Sequence, residues 1–128
     1  LEKLRNQIKC DNLNLTLLSH ISEITIFELL KKSKILLFPS LHESFGIPIL
    51  EALATKNSII AMNAGASNEI LNGYGQLYNF NDGYDLRNKL DLTINSNVKI
   101  NNEREIEEYL LSFSNSEMKS SLLGVYKN

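Results

Sequence analysis

The chain has 128 residues, a formal net charge of −2 and a single cysteine, Cys10. Its 13 basic residues are scattered, which argues against a nucleic-acid or other polyanion partner. The lone cysteine rules out a disulfide framework or a cysteine-rich metal site and suits a reducing compartment such as the cytoplasm. No apolar run reaches the roughly 18 residues of a membrane span, and no signal-peptide pattern is visible. The length allows one domain at most, and a start at Leu1 rather than methionine suggests that an upstream part precedes it.

In chain order, Leu1, Leu4 and Ile8 recur at helical spacing, predicting a short amphipathic helix. Apolar and polar residues then alternate from Leu13 to Leu17, the pattern of a strand. Ser22 stands as the N-cap of a helix with Ile26, Leu29 and Leu30 on its inner face. ILLF, Ile35 to Phe38, is a continuous apolar run closed by Pro39, as in a strand covered on both faces. A helix over roughly Phe45 to Thr55 follows, then SIIA, Ser58 to Ala61, as another buried strand. Glycines punctuate the run AGASNEILNGYGQLYNF, with a strand at Gly75 to Tyr78. Asp82 is a candidate N-cap for a helix presenting Leu86, Leu90 and Ile94 on one face. Ser96 to Asn101 reads as a polar loop. Ile106, Tyr109, Leu110 and Phe113 form the clearest helical stripe, and Met118, Leu122 and Tyr126 suggest a final helix. Strands alternating with helices imply an α/β fold with a doubly wound, mostly parallel sheet.

The informative stretch is FPSLHESFGIPILEALATKN, Phe38 to Asn57. Pro48 lacks an N–H and fits a helix only in the first turn, so the helix begins around Ser44 to Gly46. The amides of Phe45, Gly46 and Ile47 would then face outward, and Gly46 lets an external group approach the backbone. Such donors, backed by the helix dipole at the carboxyl end of a strand, suit a phosphate. Glu43 precedes the helix and Glu51 lies about one and a half turns inside it. A carboxylate aimed at a phosphate would be repelled, so the pair more naturally accepts hydroxyls on either side of it. A sugar nucleotide has that layout. Taken singly, two acidic residues near a helix start are ordinary surface residues.

FPS, then Glu43, then FGIPILEALA resembles the signature of the family-four retaining glycosyltransferases, which have two Rossmann-like domains in the GT-B architecture. The resemblance extends through LTLLSHISEITIFELLKKSK, SIIA, Glu69 in GASNEILNGYGQLY and the terminal SFSNSEMKSSLLGVYKN. It implies that residues 1–128 form one partial Rossmann-like domain of about four strands with flanking helices, the C-terminal donor-nucleotide half of such an enzyme. The family's glutamate matching Glu43 lies beside the transferred sugar as the catalytic carboxylate, and the one matching Glu51 holds the ribose hydroxyls. Ser44, Phe45, Gly46 and Ile47 match the sugar and diphosphate contacts, and His20, Ile21 and Ser22 the nucleobase loop. The implied donor is a nucleotide-diphosphate sugar, with no cofactor, no metal and an unknown acceptor. The implied location is cytoplasmic, with peripheral membrane association an option for the full-length enzyme.

The chain also departs from that pattern. The acceptor domain and the Arg and Lys that neutralise the leaving phosphate would lie upstream of Leu1, and Lys31, Lys32 and Lys34 read as a solvated face rather than substitutes. Lys56 and Ser58 stand where the family has Gly and Pro, which puts the helix C-cap in question. Ala66 replaces the second of two glycines, adding a methyl group where the ligand loop is close. No Asp-x-Asp metal motif occurs, and His20 and His42 are too few for a metal site. His42, in the entrance loop, is a candidate ligand contact, with an ordinary exposed histidine as the alternative. Rival readings are a non-catalytic sugar-nucleotide-binding module, a sugar-nucleotide epimerase of the same architecture and an inactive fragment. In the doubly wound order LNLTL and ILLF would be the third and fourth strands, with the pair between them missing. The open edge of ILLF would then close directly against LNLTL or drive self-association.

Overall fold

The structure, a computed structural model, describes residues 14–96 and 103–114. Its first helix, α1 (Glu23–Lys32), opens as the sequence predicts. Ser22 is extended at φ −72°, ψ 156°, and its Oγ accepts the Thr25 amide at 3.2 Å, filling one of the donors a helix start leaves unpaired. Ile26 and Leu30, one turn apart, pack inward, whereas Leu29 is turned out of the core. The Ser33 amide closes the helix on the Leu29 and Leu30 carbonyls, and the chain reverses into β1 (Ile35–Phe38).

The described residues form a three-stranded parallel sheet in the order β1, β2 (Ser58–Met62), β3 (Gln76–Tyr78). Ile35 pairs with Ser58, and Ile60 with Gln76. Strand alternation sends successive side chains to opposite faces. Leu36, Phe38, Ile59, Ala61 and Leu77 join the core formed with α1, α2 (Ile47–Ala54), α3 (Ser67–Leu71) and α5 (Glu103–Leu111). Ile35, Ile60, Met62 and Tyr78 meet Leu86 and Leu90 of α4 (Gly83–Ser96). Helices on both faces of a parallel sheet make the arrangement doubly wound. Ile49, Leu53, Ile59 and Leu71 are all but fully buried, each contributing roughly 1.5–3 kcal/mol.

Besides Leu29, four expectations are corrected. Residues 14–18 form no strand, so the described sheet has three strands, and direct closure of LNLTL on ILLF does not occur. Alternation specifies which face a strand would bury but supplies no ladder partner, and Leu15 and Leu18 remain about half exposed. β1 lies at the edge of the described sheet, and Leu37 is exposed, so the strand is not covered on both faces. On α4 the inner face is Leu86, Leu90 and Thr93, while Ile94 is 64% exposed. Seven positions at 100° each return to within about 20° of the start, whereas eight overshoot by about 80°. Finally, Ser67 to Leu71 forms a short helix inside the glycine-punctuated run, too brief to show a period. The expected first and last helices, Cys10 and most of the loop before Glu103 lie outside the described residues.

At the end of α2, Lys56 takes a left-handed conformation, φ 61°. Its amide bonds the Leu53 carbonyl at 3.0 Å, and the Asn57 amide bonds Ala52 at 2.9 Å. This is a Schellman closure built without its customary glycine. Asn57 is buried, and its Nδ2 donates to the carbonyls of Leu30 and Ser33, joining the end of α1 to the start of β2. Among the described residues no helix is long and apolar enough to cross a membrane.

Candidate active site

The loop from Pro39 to Phe45 leaves the carboxyl end of β1 and turns into α2, the end of an open α/β sheet where ligands bind. Gly46 is the N-cap, at φ 79° and ψ 36°, and Pro48 sits in the first turn. The structure changes the reason for the glycine. A Cβ there would meet Ile49 and Ile70 at 3.5 Å, an ordinary contact, so space is not the constraint. The left-handed torsion is, since it costs L-residues with a side chain roughly 1–2 kcal/mol.

Gly46 brings no side chain to cap the helix, and Glu43 does so from three residues upstream. Its Oε1 accepts the Gly46 amide at 3.0 Å and the Phe45 amide at 3.2 Å. Those two amides, Gly46 foremost, hold the Glu43 carboxyl below its usual range, because each bond favours the ionised form. The donors expected to face outward are thus gathered onto a carboxylate of the same chain. The Ile47 amide, one residue further on, has no protein acceptor among the described residues.

Glu43 is itself held from the far side. Its carbonyl accepts the Ala66 amide at 3.1 Å. Gly65, at φ 54°, lies so close that a Cβ would stand 2.7 Å from the Glu43 carbonyl oxygen and 3.0 Å from its nitrogen. No side chain fits there. Ala66 is right-handed at φ −77°, which alanine adopts freely, and it is partly buried against the core. The Gly65 contact was not anticipated, and its only sequence signal is a glycine after the SIIAM strand.

Glu51 lies in the second turn of α2, half-buried, with no protein hydrogen bond or ion pair to its carboxylate among the described residues. Ser44 and His42 are exposed in the entrance loop. His20 and Ser22 are exposed and Ile21 half-buried just before α1. Because α1 returns into β1 through two residues, it runs against the strand, and its N-terminus lies at the same sheet end as Glu43. Ser22 is engaged as a helix cap, and no direct bond links residues 20–22 to the Glu43 loop. Among the described residues no group of three metal-ligating side chains occurs.

The family model for Glycosyl transferases group 1 matches residues 1–111. The chain belongs to this family. The three-stranded parallel sheet and its flanking helices accord with the Rossmann-like domain of a group 1 glycosyl transferase, and glycosyl transfer is the general chemistry that membership carries. No curated protein matches the chain.

Proposed function

We infer that this group 1 glycosyl transferase chain supplies the donor-nucleotide side of a retaining hexosyltransferase, binding a nucleotide-diphosphate sugar at the α2 entrance. The observation that carries this reading is the convergence of the Gly46 and Phe45 amides on one anionic oxygen, Glu43 Oε1. That oxygen stands in for a phosphate oxygen of the donor. A diphosphate, more highly charged than a carboxylate, displaces it from the amides. Glu43 then turns to the sugar, accepting its hydroxyls and stabilising its developing positive charge. The bond from the anomeric carbon to the diphosphate oxygen breaks with its electrons leaving on the diphosphate. The acceptor oxygen takes the vacated position on the same face of the sugar, and its proton passes to the leaving diphosphate oxygen, which carries the new negative charge. Ser44 and the Ile47 amide complete the sugar and diphosphate contacts. Glu51, without a protein partner among the described residues, accepts the ribose hydroxyls, and residues 20–22 border the nucleobase. The acceptor site and the cations that neutralise the leaving diphosphate belong to parts of the enzyme beyond the described residues.

Titration calorimetry with uridine and guanosine diphosphates tests this reading. Glu51→Ala should weaken binding by about 1.5–3 kcal/mol, the worth of a charged hydrogen bond. Glu43→Gln should bind at least as tightly as the wild type, since the competing carboxylate is gone. In a full-length enzyme the same Glu43 change should lower turnover more than donor affinity. Equal affinities for wild type and Glu51→Ala would reject the ribose role, and weaker nucleotide binding by Glu43→Gln would reject the displacement step.

A further inference from the structure

The predicted helical stripe runs past its helix: Ile106, Tyr109 and Leu110 lie on α5, whereas Phe113 sits in the turn that follows, its amide bonded to the Leu110 carbonyl at 3.1 Å. The Phe113 ring meets Phe45 edge-to-face, with centroids 5.9 Å apart and planes at 86°. Tyr109 meets Phe113 in the same manner at 5.0 Å, and Tyr74 leans on Tyr109 at 5.3 Å. The Tyr109 hydroxyl donates to the Ile70 carbonyl at 2.9 Å and to Glu69 at 3.3 Å, in the last turns of α3. Ile70 in turn lies over Gly46, and the start of α3 donates the Ala66 amide to the Glu43 carbonyl. These contacts form a closed circuit: Glu43, Phe45, Phe113, Tyr109, Ile70, Ala66 and back to Glu43. Phe45 is 40% exposed, so its ring is a cross-link to the turn after α5 rather than a core residue.

We propose that Tyr109 and Phe113 are positioning residues for the donor site: they fix the Phe45 ring and the Ile70 carbonyl and thereby aim the Phe45 and Gly46 amides. This rests on the donor-site reading above. Edge-to-face rings hold a preferred relative geometry set by their quadrupoles, and the Tyr109 hydroxyl fastens the second arm through a directional bond. An amide displaced by a fraction of an ångström loses its aim at an anion. The two residues touch no reacting atom, and they act through α2 and α3.

The test uses the 128-residue chain and two variants, Phe113→Leu and Tyr109→Phe, with Ile106→Val as a core control on the same helix. NMR follows the Glu43 carboxyl through a pH titration and the Phe45 and Gly46 amide resonances at fixed pH. Both are read on the folded protein, so lost stability alone does not move them. In both variants the Glu43 titration should shift up toward the ordinary glutamate value and the two amide resonances should move, whereas Ile106→Val leaves them in place. Uridine diphosphate should bind about fivefold or more weakly to both variants. If Phe113→Leu does not fold, Tyr109→Phe, which deletes one oxygen, decides the matter. A Glu43 titration unchanged in the variants overturns the proposal whatever the nucleotide does. Absence of nucleotide binding by the wild type instead overturns the donor reading, and the titration still decides the positioning role.

Discussion

The entrances of α2 and α4 carry the same device with different surroundings. At α4, Asp82 Oδ1 caps the Asp85 amide at 2.9 Å, and Asp85 Oδ2 accepts the Asn79 amide at 3.0 Å. The Asn79 amide first, and then Lys89, hold the Asp85 carboxyl below its usual range. Lys89 Nζ lies 3.2 Å from Asp85 Oδ1 one turn further along the helix. At α2, Glu43 is held in the same sense by the Gly46 and Phe45 amides, yet no cation pairs with it among the described residues. The α4 entrance closes on itself within eleven positions and is finished as structure. The α2 entrance draws on loops and helices up to seventy positions away and leaves its charge uncompensated. A carboxylate at a helix start is therefore a cap by default, and its partners decide whether it can let go.

The largest effect that would break this contrast is expected at Gly65. Gly65→Ala combines a left-handed torsion with a 2.7 Å approach to the Glu43 carbonyl and should cost about 3 kcal/mol in urea unfolding. Gly83→Ala at the α4 entrance meets nothing within 4 Å and should be neutral or slightly stabilising. Equal losses at the two sites would show that the α2 entrance is no more constrained than the α4 one. Next in size, Asp82→Ala should cost about 1 kcal/mol as a lost N-cap while leaving uridine diphosphate affinity untouched. Reduced nucleotide binding there would place the α4 entrance in the site.

A smaller effect follows from pH. Both carboxyls sit below their ordinary values of 4.5 and 3.8 when folded, so the unfolded chain binds more protons than the folded one just below those values. Their contribution is complete above the ordinary values and is lost as pH falls through the lower folded ones. Glu43→Gln and Asp85→Asn should each flatten the acid limb of the unfolding midpoint against pH. An acid limb for Glu43→Gln that overlays the wild type would mean that the α2 amides do not hold the carboxylate in solution.

The smallest change concerns the far end of α2. Lys56→Gly removes the left-handed penalty at the C-cap and gives up only an exposed ion pair to Glu103, of a kind worth little. The melting temperature should rise by about 4 °C. No rise in a thermal scan would mean that the closure tolerates lysine without strain.

The sequence by itself determined the helices that carry their own caps and the strands whose side chains need burial. Ser22, Asp82, Pro48 and the ILLF and SIIA runs announce their elements through local chemistry, and the α5 stripe announces its inner face. The placement of Glu43 before the helix and Glu51 within it was also legible, because Pro48 fixes the helix start in one contiguous stretch. Tertiary structure alone decided that residues 14–18 form no strand, that Thr93 rather than Ile94 faces inward and that a glycine twenty-two positions beyond Glu43 shapes its loop. It alone brought Phe113 against Phe45 and Tyr109 against Ile70. Local signals record torsion, capping and burial preference, which depend on near neighbours. Partners across a sheet edge or between loops are chosen by three-dimensional packing, for which a single sequence holds no spacing rule.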